Sequence, residues 1–295
     1  MEIGVVFPQT EIGADPAVVR AYAAAVEELG YRHILAYDHV LGADPTVHRG
    51  WKGPYDIDST FHEPFVLFGY LAAITELELI TGIVILPQRQ TALVAKQAAQ
   101  VDILSQGRLR LGVGLGWNRV EYEALGKRFD DRGRRLTEQV ELLRLLWTRR
   151  SVTLKGEYET VTGAGLAPMP VQRPIPIWFG AQSEAAYRRA GRLADGWFPQ
   201  MQPGPALDDA TAAVRAGAFA VGRNPDSLGM HGHTRLSAGV EATAQAVLRW
   251  RETGASHLSI DTMGLVAGSA VGIDRHLSAL AELAGAIALP GRVIS

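Results

Sequence analysis

Short apolar runs alternate with helical patterns along almost the whole chain, and this alternation limits the fold more than any other feature. Eight such runs occur, at residues 3–8, 31–37, 77–87, 108–116, 175–180, 195–199, 227–237 and 255–261. Between most of them, apolar residues recur at the spacing of one helix face. Strands that alternate with helices in this way predict a parallel sheet whose strands are joined by helical crossovers.

Eight strands favour a closed (β/α)₈ TIM barrel over an open, doubly wound sheet. The open sheet usually carries a glycine-rich turn after its first strand, whereas here the first strand is followed by "QTEIGADP". A barrel commonly occupies about 250 residues, and the chain has 295. We therefore predict a single barrel domain over residues 1–295.

The alternation is interrupted once, after the fourth strand and its helices. The stretch "VTLKGEYETVTGAGLAPMPVQRP" is too rich in Gly and Pro for a helix. It predicts an insertion over about residues 150–174, in the form of a small hairpin on the rim of the barrel.

Composition excludes several classes of function. The net charge is −2 and no run of like charge occurs, which argues against nucleic-acid partners and against an anionic membrane surface. No apolar stretch approaches the ~18 residues of a membrane span. The absence of Cys removes disulfides, Cys–metal sites and a thiol nucleophile. With no leader-like start, we expect a cytoplasmic protein.

The pair Asp38–His39 ends the second predicted strand, and active sites of barrels lie at the carboxyl ends of their strands. A Gly-, Pro- and aromatic-rich loop follows over residues 38–61, and structureless loops of that length are usually functional. His39 is therefore a candidate for proton transfer, with the neighbouring carboxylate holding its tautomer. The alternative is that Asp38 caps the next segment and His39 packs on the loop. Adjacent residues on an extended chain point to opposite sides, so the two need not touch.

The fourth strand ends in "GVGLGWNRVE", where Gly112, Gly114 and Gly116 leave one face of the strand end free of side chains. A flat ring could lie against such a backbone, but close packing inside the barrel explains the glycines equally well. The dinucleotide pattern G-x-G-x-x-G fails, because Trp117 stands where its last glycine belongs.

Two further patterns carry alternatives. Gly180 leads from the fifth strand to Ser183 at a helix start, which is either a phosphate site built from free N–H groups or an ordinary Ser cap. His231 and His233 face the same side of the seventh strand, as in a metal site. Because no matching acids or histidines accompany them, a structural role is favoured.

Three stretches together resemble the luciferase-like family of flavin- and deazaflavin-dependent oxidoreductases. They are "YDH", the run "TGIVILPQRQTALVAKQAAQVDILSQGRLRLGVGLGWNRVEYEALG", and "PIPIWFGAQSEAAYRRAGRLADGWFP". The chain is most similar to the actinobacterial branch that uses coenzyme F-420, an 8-hydroxy-5-deazaflavin. The resemblance implies a barrel with an insertion after strand four and a cofactor in the barrel mouth.

The resemblance also implies roles for individual residues. His39 is expected near the reactive carbon of the ring, with Asp38 as its orienting partner. A non-proline cis peptide is expected at Gly82–Ile83, and a phosphate-binding turn after strand five. The predicted cofactor-binding residues are Gly82, Ile83, Gly114, Gly116, Trp117, Gly180, Ala181, Gln182 and Ser183.

Two positions depart from the family pattern. Trp117 stands where deazaflavin-dependent sugar-phosphate dehydrogenases carry a catalytic Glu, which favours an apolar or aromatic substrate over a sugar phosphate. Leu115 stands where bacterial luciferase has a phosphate-binding Arg, which weakens the case for FMN.

The sequence thus predicts hydride transfer between coenzyme F-420 and a small organic molecule. Trp51 and Tyr55 would wall the substrate side, and residues 40–61 would form a lid. One alternative is a monooxygenase that uses reduced FMN supplied by a separate reductase. Another is a non-catalytic flavin-binding protein. The resemblance also implies a homodimer.

Overall fold

Eleven strands and nine helices occur in residues 1–266 and 272–291, the part of the chain that the computed structural model describes. The strands are β1 (Glu2–Val6), β2 (His33–Ala36), β3 (Glu78–Thr81), β4 (Val84–Ile85), β5 (Leu109–Gly114), β6 (Val152–Lys155), β7 (Thr160–Ala164), β8 (Ile177–Ala181), β9 (Gly196–Pro199), β10 (Gly229–Arg235) and β11 (His257–Asp261). The helices are α1 (Pro16–Glu28), α2 (Pro64–Ala72), α3 (Thr91–Leu104), α4 (Arg119–Ala124), α5 (Arg132–Thr148), α6 (Glu184–Leu193), α7 (Pro205–Phe219), α8 (Val240–Glu252) and α9 (Ile273–Ala286).

The main sheet is parallel and closes on itself. Its strands follow one another in the order β3, β2, β1, β11, β10, β9, β8 and β5, and β5 pairs again with β3. Strands β1 and β11, which come from the two ends of the chain, pair in register from Glu2 opposite His257 to Val5 opposite Ile260. The predicted eight-stranded TIM barrel is confirmed.

The helices cover the outside of the barrel with one apolar side each. Helix α1 shows how the sequence sets this up, because Asp15 accepts a hydrogen bond from the Ala17 amide and Pro16 starts the first turn. Val19 and Tyr22 then recur at helical spacing and are buried against the strands. Within the described ranges, no helix is long and apolar enough to cross a membrane.

The third barrel strand is divided, where the sequence pattern predicted one continuous strand. Strand β3 ends at Thr81, β4 begins at Val84, and the Gly82–Ile83 peptide between them is cis, which confirms that prediction. A Cβ atom on Gly82 would lie 2.1 Å from the Leu35 side chain inside the barrel. Only glycine fits this position without moving its neighbour.

The insertion contains the expected hairpin. Strands β6 and β7 pair antiparallel between α5 and β8. The carboxylate of Glu138 on α5 accepts hydrogen bonds from the amides of Glu157, Tyr158 and Glu159. The hairpin is therefore fixed to the outer helix layer.

The long loop after β2 has no helix or strand over residues 40–61. Its two ends meet, because the Ile57 amide donates a hydrogen bond of 3.0 Å to the Ala43 carbonyl. Inside the loop, Trp51 Nε1 donates to the Tyr55 carbonyl at 2.9 Å. The loop is thus an ordered excursion placed beside the carboxyl ends of the strands.

Candidate active site

His39 lies directly beyond β2 at the carboxyl end of the barrel, as predicted. Its Nδ1 atom is 3.4 Å from Oε2 of Glu121, and its side chain is 10% exposed. The Glu121 side chain is fully buried. A buried carboxylate at one ring nitrogen favours the tautomer with the proton on that nitrogen.

Glu121 is held in place by Asn118, which follows β5, and by the long loop. Asn118 caps α4 by accepting hydrogen bonds from the Val120 and Glu121 amides, which fixes the first turn of this short helix. The Glu121 carboxylate accepts hydrogen bonds from the amides of Val40 and Leu41. Burial acts to raise the pKa of Glu121, but His39 and these amides outweigh it and hold the pKa below its ordinary value.

Asp38 does not orient His39, and that interpretation is wrong. Its carboxylate is buried and accepts hydrogen bonds from Arg89 Nη2 at 2.7 Å and from the Ile85 amide at 3.1 Å. Burial raises the pKa of Asp38, although Arg89 opposes the shift. Asp38 instead ties the end of β2 to β4, through Ile85, and to the segment after β4, through Arg89.

Aromatic rings surround His39 and form what we call the aromatic bowl: Tyr55, Phe61, Trp117 and Trp51. The ring centroid of His39 lies 4.8 Å from that of Phe61, 5.3 Å from Tyr55 and 5.6 Å from Trp117. Trp51 lies 5.6 Å from Trp117. The long loop supplies three of these rings, and Trp51 and Tyr55, which the sequence predicts on the substrate side, lie beside Trp117 and His39.

The floor of the barrel mouth is mainly apolar. Partly buried Tyr37, Ile83 and Met263 cover an inner cluster that fills the barrel, formed by Val6, Leu35, Ile80, Trp178 and Phe198. Gln9 follows β1 and is fully buried, and its Nε2 donates to the Tyr37 carbonyl while its Oε1 has no hydrogen-bond partner. A buried acceptor without a donor is costly, so a ligand N–H group in the mouth would suit this atom.

Gly114 and Gly116 lie at the end of β5, the fourth strand of the barrel, and do not offer a bare backbone to a flat ring. The expectation that a ring lies against these glycines is therefore wrong. A Cβ atom on Gly114 would lie 2.5 Å from the Ile83 side chain, and one on Gly116 would lie 2.7 Å from Ile85. Gly116 also has φ of +66°, a conformation that favours glycine. Both glycines therefore accommodate side chains of the neighbouring divided strand.

Ile83 nevertheless lies against two other predicted cofactor residues, Gly114 and Gly180. It fills the space beside Gly114, and it lies 3.4 Å from the Cβ position of Gly180 at the end of β8. Gly82, by contrast, faces the barrel interior at Leu35. A planar ligand in the mouth would meet the Ile83 side chain rather than the glycine backbones.

The turn after β8 leads directly into α6. Ala181 is the last residue of β8, Gln182 is exposed, and Ser183 caps α6 by accepting a hydrogen bond from the Ala186 amide at 3.4 Å. The Ser183 side chain thus has an ordinary capping role. The free N–H groups of the first helical turn still point toward the carboxyl end of the barrel, where a phosphate would be stabilised.

The two histidines of "HGH" face the barrel interior at different depths. His231 Nε2 lies 2.8 Å from Ser259 Oγ in the buried amino-terminal half. His233 Nε2 lies 3.4 Å from Asp261 Oδ2 and 3.5 Å from the Tyr37 hydroxyl at the mouth. No group of His, Asp and Glu suited to hold a metal occurs among the described residues.

Glu121 and Phe61 are the site residues that the sequence analysis missed. Asn118 and Glu121 have the spacing of a capping box, which predicts a structural role in the first turn of a helix. Glu121 instead faces His39 and the loop, and that arrangement depends on tertiary packing. Phe61 is the last residue of the aromatic-rich loop, and only this position could have marked it as a site residue.

Comparisons with known sequences place this geometry in a context. A family model described as luciferase-like monooxygenase matches residues 1–284. The F420-dependent hydroxymycolic acid dehydrogenase of Mycobacterium tuberculosis is 31% identical over 261 residues, which cover 85% of this chain and 67% of that protein. The F420-dependent glucose-6-phosphate dehydrogenase of Nakamurella multipartita is 32% identical over 219 residues, 72% of this chain.

The alignments do not extend over the full relatives. An uncharacterised protein of Mycobacterium tuberculosis is 37% identical over 185 residues, which span 60% of this chain and 62% of that protein. The alignment with the Nakamurella enzyme spans 61% of its length. The chain therefore spans about three fifths of the length of these curated relatives.

Solved structures share the fold. An F420-dependent secondary alcohol dehydrogenase in complex with an F420-acetone adduct superimposes with a TM-score of 0.78 and 17% identity, and covers 97% of this chain and 98% of its own. The monooxygenase RslO1 from Streptomyces bottropensis gives a TM-score of 0.73 and 21% identity over the same shares. At these identities the likeness is one of architecture.

Proposed function

Because this chain belongs to the luciferase-like monooxygenase family, we propose that it is an oxidoreductase that uses coenzyme F-420. The proposed reaction moves a hydride between this deazaflavin and an apolar or aromatic organic substrate. Two relatives more than 30% identical carry names of F420-dependent dehydrogenases, which supports the choice of cofactor.

The observation that carries this proposal is His39 in the aromatic bowl, held by buried Glu121. With the proton favoured on Nδ1, the Nε2 atom of neutral His39 is an acceptor. When the ring is protonated, Nε2 becomes a donor while the Glu121 carboxylate balances the charge. His39 can therefore give or take one proton at a substrate oxygen as hydride transfer proceeds.

The residues of the barrel mouth fit a planar cofactor with a phosphate tail. A bound deazaflavin, which has carbon in place of flavin N5, would supply hydride transfer. Ile83 and Tyr37 would hold its ring, and the unpaired Oε1 of Gln9 would accept from a ring N–H group. The helix start after Ser183 would hold the phosphate.

The rings of the long loop would exclude water from the reacting groups. Tyr55 and Phe61 are in edge contact, with centroids 4.7 Å apart, and both pack on His39. An enclosed site strengthens the electrostatic interaction between His39 and Glu121. Trp117, in place of an acid, would offer the substrate an apolar face.

The first test is an equilibrium titration of the apo protein with F-420 and, separately, with FMN, followed by fluorescence. We expect tighter binding of F-420, and FMN binding at least about tenfold tighter, or about 1.4 kcal/mol, would overturn the proposal. Aerobic turnover with reduced FMN and a reductase would instead favour the monooxygenase alternative. Tight cofactor binding without turnover on any substrate would favour a carrier protein.

The homodimer implied by the resemblance stays a prediction. Light scattering of the purified chain tests it, because a monomer and a dimer differ twofold in mass.

A further inference from the structure

Beside the aromatic bowl, the long loop borders an open cleft of about 500 Å³ whose basic side chains have no part in the proposed mechanism. The lining residues are His48, Arg49, Gly50, Trp51, Lys52, Gly53, Pro54 and Trp117. Pockets for small organic ligands commonly measure about 300–1,000 Å³. The cleft is thus large enough for a ligand with one or two rings.

The charged side chains of this cleft are all basic. Arg49 and Lys52 are exposed, and neither has an ion pair or hydrogen bond among the described residues. No Asp or Glu is among the lining residues. The three acids of the loop lie outside this lining: Asp44 accepts from the Thr46 amide, Asp56 accepts from the Asp58 amide, and Asp58 is exposed.

The apolar wall of the cleft is built from two indole rings. Trp51 and Trp117 lie 5.6 Å apart at an interplanar angle of 45°. A Cβ atom on Gly53 would lie 2.5 Å from the Trp51 ring and 2.6 Å from the Trp117 ring. Because any larger residue would displace both indoles, Gly53 lets the loop close onto them.

Trp117 connects this cleft with the candidate active site. Its side chain is 40% exposed, and its ring also contacts His39 with a centroid distance of 5.6 Å. A ligand stacked on Trp117 would have its cationic partners on one side and the His39 imidazole on the other.

From this arrangement we propose that the cleft binds the negatively charged end of the substrate, and that the substrate is an aromatic or apolar organic anion such as a carboxylate. Arg49 and Lys52 attract the anionic group, and the two indoles stack on the rest. The identification of this anion as the substrate rests on the proposed function, whereas its binding to the cleft does not.

The test uses calorimetric titration of the apo protein with 2-naphthoate and with 2-naphthamide, its neutral counterpart. We expect the anion to bind about fivefold to tenfold tighter at low salt, since two exposed charge pairs contribute little more. At about 0.5 M salt this preference should shrink, because screening weakens exposed pairs.

Variants then locate the effect. The double variant Arg49→Gln/Lys52→Gln should lose the preference for naphthoate and keep its affinity for naphthamide. Trp117→Ala should weaken both probes together. The matched control is Arg249→Gln/Arg251→Gln, which removes two exposed charges from α8 and should leave the preference intact.

Equal affinities for the two probes at low salt would overturn the proposal. So would a preference that survives in Arg49→Gln/Lys52→Gln or disappears in the α8 control. Titration of the same samples with F-420 separates anion binding by the cleft from the proposed use of F-420. A protein that prefers the anion but fails to bind F-420 would support the first hypothesis and overturn the second.

Discussion

Each end of the barrel contains a histidine beside a carboxylate, but the groups around the two pairs differ. At the amino end, His33, His231 and His257 lie with ring centroids 4.9–5.7 Å apart, and His257 Nε2 is 3.3 Å from Glu78. At the carboxyl end, His39 lies beside Glu121 under a cover of aromatic rings. His33 and His231 are buried between the strands, while His257 and Glu78 border a cleft of about 650 Å³ at the amino end. His39 and Glu121 lie instead under the long loop and its aromatic rings.

The amino-end cluster is organised around one hydroxyl. Ser259 Oγ lies 2.9 Å from His33 Nε2 and 2.8 Å from His231 Nε2. A hydroxyl has one proton, so it donates to one ring and accepts from the other, and the two neutral rings must take different tautomers. Burial lowers the pKa of His33 to about 3 and holds that of His231 well below its usual value.

The difference teaches that a histidine–carboxylate pair in this barrel is distinguished by its neighbours rather than by its composition or its exposure, since the side chains of His39 and His257 are each 10% exposed. At the amino end, the buried imidazoles of His33 and His231 share the Ser259 hydroxyl, and their Nδ1 atoms have no hydrogen-bond partner among the described residues. At the carboxyl end, His39 and Glu121 lie among the aromatic rings of the candidate active site, where we propose that a proton is exchanged with a substrate. Substitutions at both ends can break or sharpen this comparison.

The largest effect is expected for His39→Ala. A positioned proton donor is typically worth about 10²–10⁴ in rate, so turnover with F-420 should fall by about that factor. The free energy of unfolding should change little, because the ring packs mostly on loop residues. Steady-state kinetics and urea unfolding of the same preparation check both parts, and an unchanged rate would contradict the catalytic role.

The reverse pattern is expected for His33→Ala. The side chain is fully buried, so its loss leaves a cavity and removes a partner of Ser259. We expect a loss of about 2–4 kcal/mol in the free energy of unfolding. Turnover per folded molecule should remain that of the parent protein. A lower rate with an unchanged free energy of unfolding would show that the amino-end histidines do not have a purely structural role.

Acid should destabilise the protein through the amino-end cluster. The folded pKa of His33 lies below its unfolded value of about 6.5, so below pH 6.5 the unfolded chain takes up a proton that the native state does not bind until about pH 3. Stability therefore falls as the pH drops through this window. Glu78, whose folded pKa is about 2, extends the loss below its unfolded value near 4.5.

Urea unfolding at pH 6.5 and pH 5 measures this effect. One histidine contributes up to about 2 kcal/mol over these 1.5 pH units. The non-titrating variant His33→Gln should show a smaller loss than the parent protein. Parallel pH profiles for the two proteins would show that His33 is not the group responsible.

The smallest effect is expected for Glu121→Gln. The amide oxygen can still accept from the Val40 and Leu41 amides, so the loop should stay in place. The negative charge beside His39 is lost, and turnover should fall about tenfold, which corresponds to about 1.4 kcal/mol. Kinetics with matched circular dichroism spectra check this, and a rate equal to that of the parent would leave Glu121 a structural role alone.

Much of the barrel was predictable from the chain, because alternating apolar runs and helical spacing are local patterns. The division of the third strand was not visible in those patterns, since "LITGIVIL" is apolar throughout, and it followed only from the family resemblance. The hairpin over β6 and β7 was predictable from Gly and Pro content.

The site was predictable where it depended on strand ends and not where it depended on contacts between distant segments. His39 falls at a strand end, so its place followed from the fold. Its partner Glu121 is 82 residues away and has the spacing of a helix cap, and the contact arises only when α4 packs under the loop. The amino-end histidines likewise meet only through the register of β2, β10 and β11.

The closed base of the long loop lets this part of the scaffold change independently of the rest. Ala43 and Ile57 are hydrogen-bonded, and a Cβ atom on Gly42 would lie 2.1 Å from the Asp56 carbonyl oxygen, so the segment between them leaves and returns at one point. His39 and Glu121 lie outside that segment. Residues 44–56 therefore form an exchangeable cassette, in which charge and shape toward a substrate can be changed while His39 and Glu121 keep their places.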